Sequence, residues 1–304
     1  MNIYWQGADI TGLVQVRKCV IRDTCGGRCD SLEMEFDNAA GWIKWGPEED
    51  DQIVVTRDGY DTGILYLNAV LPEDGHYRVI ATALPCAARQ RESRSYAGKT
   101  LGEIMQTCGI VTGMDVALYG ISWTTAIPYV QQENESAASF LNRLLEWEGA
   151  KLKCVNGKYV GIGLAYAQAR NAPQALALAA DQQGVEYRRC GETWRSVRVL
   201  NPYADTTAID TDAPESHARI CLSLPARNAA QAGRWARGAL LAHNREAERL
   251  VIGTEFNPLY TAMTRIDIEG ETDAAGSWLI DETEHDLRNG SSRAVLYRCK
   301  NSIR

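Results

Sequence analysis

The sequence predicts a mainly β protein with an α+β insert: two small β-barrel domains with a helical insertion between them. Three observations predict it. Short runs of alternating apolar residues fill positions 1–85 and return over 186–304. Amphipathic helical spacing is concentrated between 86 and 185 and in one later stretch near 228–248. Turn signals such as Arg57-Asp-Gly59 and Asn156-Gly157 separate the strands at short intervals. A chain of 304 residues, 45% hydrophobic and 23% charged, has enough apolar material to bury a core in two or three domains.

In residues 1–85, Ser31-Leu-Glu-Met-Glu-Phe36 alternates strictly, which puts Leu32, Met34 and Phe36 on one face. Gln52–Thr56, Gly63–Leu67 and His76–Ala81 continue the pattern as further strands. Trp42 and Trp45 precede the acidic run Glu48–Asp51, which reads as a solvated loop. Cys25-Gly-Gly-Arg-Cys29 has the form of half a zinc site. No second Cys or His pair follows at a suitable spacing, so a turn between two strands is expected.

Residues 86–185 form the α/β insert. Thr100-Leu-Gly-Glu103 has capping-box spacing and predicts a short helix ending near Gly109. A second helix, capped by Asn134 and ended by Gly149, carries Ala137, Phe140, Leu141, Leu144 and Leu145 on one face. Arg143 and Glu146 are spaced to pair, and Glu146 and Glu148 are expected at the surface. Lys151–Val155 and Lys158–Ile162 make a hairpin about Asn156-Gly157. The Ala-rich stretch 165–180 reads as a linker or weak helix.

Residues 186–304 form the second barrel. Its strands are expected at Ser196–Leu200, Leu250–Ile252, Thr264–Ile268, Trp278–Ile280 and Ala294–Tyr297. Asn228 caps a helix running to about Glu248, with Ala232, Trp235, Ala239 and Leu240 on its buried face.

Composition narrows the function. A net charge of −7 argues against a surface built to hold nucleic acid. No apolar run reaches membrane-spanning length, and Met1-Asn-Ile-Tyr-Trp-Gln-Gly lacks the basic-then-apolar form of a signal peptide, so folding in a cytoplasm is expected. Nine scattered cysteines read as reduced, mostly buried thiols. There is no Gly-x-Ser-x-Gly, no phosphate-cradling glycine loop and no His-Glu-x-x-His. The densest polar cluster is Asp281-Glu-Thr-Glu-His-Asp286. As a strand it sends Asp281, Thr283 and His285 to one face and Glu282, Glu284 and Asp286 to the other, which divides it. No catalytic, cofactor-binding or metal-binding residue is therefore assigned.

The segment Tyr129-Val-Gln-Gln-Glu-Asn-Glu-Ser-Ala-Ala-Ser-Phe-Leu-Asn-Arg-Leu-Leu-Glu-Trp-Glu-Gly-Ala150 resembles late control protein D and related contractile-tail hubs. Gly98–Ile104, the helix 228–248 and the closing run Gly276–His285 fall in the same family order, so the resemblance spans most of the chain. Many relatives have Pro-Gly before the strand matching Thr264–Ile268, where this chain has Asn257-Pro-Leu-Tyr-Thr-Ala-Met263. These 304 residues are also short for the family, and no fused lysozyme-like or spike domain is expected among them.

The resemblance implies a structural baseplate hub of a phage tail or tailocin and not an enzyme. Such a hub would be a trimer, pseudo-six-fold through its paired barrels, adapting a six-fold tail tube to a three-fold spike. It implies itself, tube, spike, tape-measure and baseplate wedge proteins as partners, with no membrane and no specific nucleic acid, although DNA passes through the lumen. The location implied is the virion tail baseplate, assembled in a bacterial cytoplasm. The alternatives are the hub of another contractile injection system, such as a type VI secretion spike, a tail-associated cell-wall hydrolase, and a monomeric carbohydrate- or protein-binding β module.

Overall fold

Strands form where apolar residues alternate, and the burial follows the alternation. A computed structural model describes residues 1–73, 75–177, 184–189, 192–270, 272–300 and 303. In Ser31–Asp37 the side chains of Leu32, Met34 and Phe36 are fully buried while their neighbours are half-exposed. His76–Thr82 repeats this with Tyr77, Val79 and Ala81. Strands make up 49% of the structure and helices 21%, so the protein is mainly β.

The two β-rich ends of the chain share one 14-stranded sheet. Its main path runs Val185–Arg189, Glu248–Glu255, Ser291–Arg298, Gly276–Asp286, Val16–Thr24, Ser31–Asp37, His76–Thr82, Leu65–Glu73, Gln52–Arg57, Asn2–Trp5, Ala8–Asp9. The join is antiparallel pairing of Val16–Thr24 with Gly276–Asp286, from Thr24 opposite Glu282 to Val20 opposite Asp286. The apolar residues of the N-terminal half, among them Ile3, Trp5, Phe36, Ile53 and Val79, belong to a large cluster that continues through the insert to Phe140 and Trp235, while Leu250, Ile252, Trp278, Ile280 and Leu296 form a separate cluster in the C-terminal half.

Six helices lie among the described residues: α1 (Ala39–Trp45), α2 (Cys86–Arg89), α3 (Leu101–Thr112), α4 (Ala137–Trp147), α5 (Leu164–Ala169) and α6 (Ala229–Asn244). None is long and apolar enough to cross a membrane. The capping box of α3 forms as its spacing predicts, with Thr100 Oγ1 accepting from Glu103 N and the Glu103 carboxylate accepting from Thr100 N. The helix runs past Gly109 to Thr112. The cap of α4 is Ser136, not Asn134: Ser136 Oγ accepts from Ser139 N, while Asn134 sits at φ +46° in a bulge of the preceding strand. The bulge puts the start of the helix two residues later than the sequence suggests. Within the Ala-rich stretch, α5 is followed by a short strand, Ala175–Ala177, parallel to Arg265–Glu269; residues 178–180 lie outside the described set.

The insert contains a two-stranded ribbon, Arg91–Thr100 with Ala126–Ser136, and a three-stranded sheet. That sheet joins Asp115–Tyr119, Lys158–Gly163 and Ala150–Val155. Its hairpin turn places Asn156 at φ +48° and Gly157 at φ +68°, the pair of positive angles a two-residue hairpin loop requires.

The region 186–304 divides. Residues Ser196–Asn201, Ala204–Ile209 and Arg219–Leu222 leave the large sheet and form a separate three-stranded one. Helix α6 lies against it and packs its other side on α4, burying Ala232, Trp235, Ala236 and Leu240, with Ala239 half-buried. The helix stops at Asn244 and a single 3-10 turn, Arg245–Ala247, carries the chain into Glu248–Glu255.

Candidate functional site at the junction of insert and sheet

The Cys25–Cys29 segment is the turn its glycines predict, joining Val16–Thr24 to Ser31–Asp37, with Gly26 at φ +88°. It is also where three parts of the molecule meet. From the insert, Leu152 O accepts from Gly26 N at 2.7 Å, and Lys153 reaches in beside it. From the C-terminal half, the Asp281 carboxylate and carbonyl face the Cys25 thiol at 3.5 Å.

Lys153 Nζ donates to Asp23 Oδ1 at 2.6 Å, to Asp30 Oδ2 at 3.1 Å and to Asp30 Oδ1 at 3.2 Å. Asp23 and Asp30 are each 4% exposed and Lys153 8%. Two backbone amides complete the cluster: Thr24 N donates to Asp30 Oδ1 at 2.8 Å and Ala262 N to Asp23 Oδ1 at 3.0 Å. Burial pushes the Asp30 carboxyl up to about 7, against the pull of the Lys153 ammonium. Burial pulls Lys153 down, but the Asp23 and Asp30 charges outweigh it and hold it above its usual range. Two carboxylates thus share one buried cation, and the neighbouring Asp23 charge adds to the rise at Asp30.

A second clamp ties α4 to α6. Glu148, at the end of α4, has a side chain only 1% exposed. Its carboxylate accepts from Arg234 Nε at 2.7 Å, Arg234 Nη2 at 3.2 Å and Trp235 Nε1 at 2.8 Å. The expected exposure of Glu148 is therefore corrected: α6 covers it, an element 80 residues distant in sequence. Arg143 pairs with Glu135, not Glu146, because the bulge before α4 folds Glu135 back over the helix; Glu146 instead accepts from Lys151 at 2.9 Å.

The other sequence-selected residues are separated or internally bonded. In Gly276–Asp286, Thr283 and His285 point into the core, and a bulge between Ile280 and Glu282 sets Asp281 apart beside Arg245. His285 is fully buried between Ser292 Oγ and the Tyr260 carbonyl, each 2.8 Å from a ring nitrogen, and burial lowers its pKa. Glu282 and Glu284 lie outward, near Arg28 and Arg22. The acidic run is not simply solvated: Asp51 accepts from Trp5 Nε1 at 2.9 Å, and Asp50 from Cys86 N at 2.8 Å. Cys19, Cys25, Cys108 and Cys154 are buried thiols, while Cys221 is exposed. Among the described residues no cluster of three or more His, Cys, Asp or Glu side chains is arranged to hold a metal.

Outside the junction, apolar groups reach solvent at one end of the N-terminal half. Leu13 is 82% exposed, Ile43 58% and Trp45 51%. Leu13 and Trp45 flank a groove of about 360 Å³ floored by Ile10, Val14 and Trp42. The sequence pointed to Trp42 and Trp45 but not to Leu13, which has no periodic neighbours to mark it.

No family model matches the sequence, and no curated protein matches it. Solved structures do match. A tail protein from Neisseria meningitidis MC58 is 11% identical with a TM-score of 0.75, over 98% of this chain and 95% of that one. The 43 kDa tail protein of prophage MuSo2 from Shewanella oneidensis is 12% identical with a TM-score of 0.71, over 97% of each chain. An E. coli type VI secretion component, itself similar to T4 tail proteins gp27 and gp5, is 13% identical with a TM-score of 0.57, over 99% of this chain and 77% of that one. The fold is that of phage-tail and injection-system proteins, as the sequence resemblance implied.

Proposed function

We propose that this chain, which has the fold of phage tail proteins, is a structural hub of a contractile tail baseplate. The observation that carries the reading is the near-complete mutual coverage with the Neisseria and Shewanella tail proteins. The organisation of the junction supports a scaffold over an enzyme: its charged and polar groups bond one another across elements, and no nucleophile is set beside a base and an orienter there.

The adaptor role is the reading that the two-part sheet supports. The large sheet joins strands from the two ends of the chain, so each copy supplies an N-terminal and a C-terminal β unit. Three copies about a three-fold axis then present six such units, meeting a six-fold tube on one side and a three-fold spike on the other. The exposed Leu13, Ile43 and Trp45 supply apolar contact area for assembly. Tube, spike, tape-measure and wedge proteins are the partners, the virion tail is the location, and a bacterial cytoplasm is where assembly occurs. The net charge of −7 suits a lumen that repels passing DNA, and a basic lumen in the assembled trimer would count against that role.

Light scattering on the full chain, alone and with a candidate spike protein, tests the hub. A trimer, or trimerisation on adding the spike, supports it. A stable monomer that cleaves peptidoglycan overturns it. The second reading, the hub of another injection system, is favoured by the similarity to the E. coli secretion component. Co-assembly with phage tube protein but not with secretion tube protein decides between them.

A further inference from the structure

The junction holds a titratable cluster that the hub reading does not use. Asp23 and Asp30 come from the two ends of the Cys25–Cys29 turn, and Lys153 from the insert strand Ala150–Val155. Ala262 N adds a tie to the loop before Arg265–Glu269. Three segments distant in sequence thus converge on two carboxylates and one ammonium, all shielded from water. With both acids ionised the cluster carries one uncompensated buried negative charge, an arrangement the protein interior strongly disfavours. One proton removes it.

We propose that the Asp23–Asp30–Lys153 cluster is a proton-operated latch between the insert and the sheet. With one proton held on its carboxylates it clasps the three segments, and without that proton it loosens them. The proton sits on Asp30 Oδ2, the less engaged oxygen: Oδ1 accepts from both the Thr24 amide and Lys153, Oδ2 from Lys153 alone. Lys153 then forms a balanced pair with Asp23, and Asp30 stays in place as a neutral acid.

The surroundings do not supply a competing charge. The Tyr60 hydroxyl, raised first by burial and then by Asp23, Asp30 and Asp61, stays protonated. The thiols of Cys25, Cys29 and Cys154 are likewise raised by burial and stay neutral. Lys151 is bonded to Glu146, and Arg245 to Asp281. Arg89, near Cys29, is held by Glu49. His285, across the sheet from Ile21 and within the field of Asp23, is kept neutral by burial.

The sign is fixed by linkage. Asp30 has its carboxyl raised to about 7 in the closed junction and an ordinary value near 3.9 when the junction opens to water. The closed form therefore binds the extra proton between those values. Its advantage is fully present at low pH and is lost as pH rises through the closed-form value. The opening equilibrium rises about tenfold per pH unit from pH 5 to near 7, and levels off above that.

Amide hydrogen exchange on the full-length protein, corrected for intrinsic rates, reads this at Thr24 and Ala262, whose amides donate to the cluster. In the wild type, opening at both should climb by about tenfold per pH unit over that range. Asp30→Asn keeps the shape and mimics the protonated acid, so its slope should be lower by one proton. A carbon-13 carboxyl titration of wild-type protein gives an independent reading if the variant fails to fold. Asp30 titrating near neutrality supports the latch. Titration of Asp30 below pH 5, or equal slopes in the two proteins, overturns it. The latch stands on the junction alone, so a monomeric result in the assembly experiment leaves it intact.

Discussion

The carboxylate of Glu148 accepts a hydrogen bond from the indole of Trp235 at 2.8 Å, across the interface of α4 and α6. A carboxylate at a helix C-terminus faces the negative end of the helix dipole and is unfavourable there by itself. Arg234 offsets it with two further bonds, and the Trp235 ring packs on that of Trp147 with centroids 4.5 Å apart. Glu148→Ala leaves the indole N–H and the guanidinium without their partner and should cost about 2–4 kcal/mol. Trp235→Phe removes one hydrogen bond but keeps most of the packing, so a smaller loss of about 1–2 kcal/mol is expected. Denaturant titration of both variants checks the order.

Gly238 sets how close those helices come. A Cβ there would stand 2.1 Å from the Trp147 carbonyl oxygen and 2.6 Å from that of Glu146, both backbone atoms that cannot swing aside. Gly238→Ala should destabilise by about 2 kcal/mol or more through forced separation of α4 and α6. Gly233, on the same helix, would meet only the Thr206 methyl at 3.3 Å. Gly233→Ala should be near neutral, since helix propensity favours alanine by up to about 1 kcal/mol. Thermal unfolding of the two side by side tests the distinction.

Phe140 is fully buried on α4 and stacks on Tyr96 of the ribbon, with ring centroids 5.3 Å apart. Phe140→Ala should cost about 3–5 kcal/mol, and Phe140→Leu distinctly less. If the insert unfolds first, proteolysis of Phe140→Ala will cut within 86–185 before it touches the sheet.

His285 gives a second pH dependence, opposite in sign to that of the latch. Burial lowers its pKa below the unfolded value near 6.5, so the folded protein holds it neutral. Stability from this residue is present above that unfolded value and is lost as pH falls through the folded one. His285→Gln should flatten the acid limb of a melting-temperature profile below about pH 6.5 and leave the limb above about pH 7 unchanged. An acid limb unaltered by the substitution would exclude His285 as its source.

Local structure was readable in the sequence where one short-range rule governs it. The alternation of Leu32, Met34 and Phe36, the capping box of Thr100 and Glu103, and the hairpin at Asn156-Gly157 all stand as their spacing predicts. The face of α4 was equally legible: Ala137, Phe140, Leu141, Leu144 and Leu145 are its buried residues. Its cap was not, because a bulge at Gln132–Glu135 shifted the register, and a bulge leaves no periodic trace. The same bulge turned Arg143 to Glu135 in place of Glu146.

The apolar periods and turn residues of this chain determined by themselves elements such as Ser31–Asp37, α3, α4 and the hairpin at Asn156-Gly157, since those depend on neighbours a few residues away; Val16–Thr24 and Ala175–Ala177, with no such pattern, were not legible. Tertiary structure alone decided three things: that Val16–Thr24 joins Gly276–Asp286 into one sheet, that α6 covers Glu148, and that Asp23, Asp30 and Lys153 share one buried site. Each depends on contacts between residues dozens to hundreds of positions apart, and a polar side chain looks the same in sequence whether water or another part of the chain is its partner.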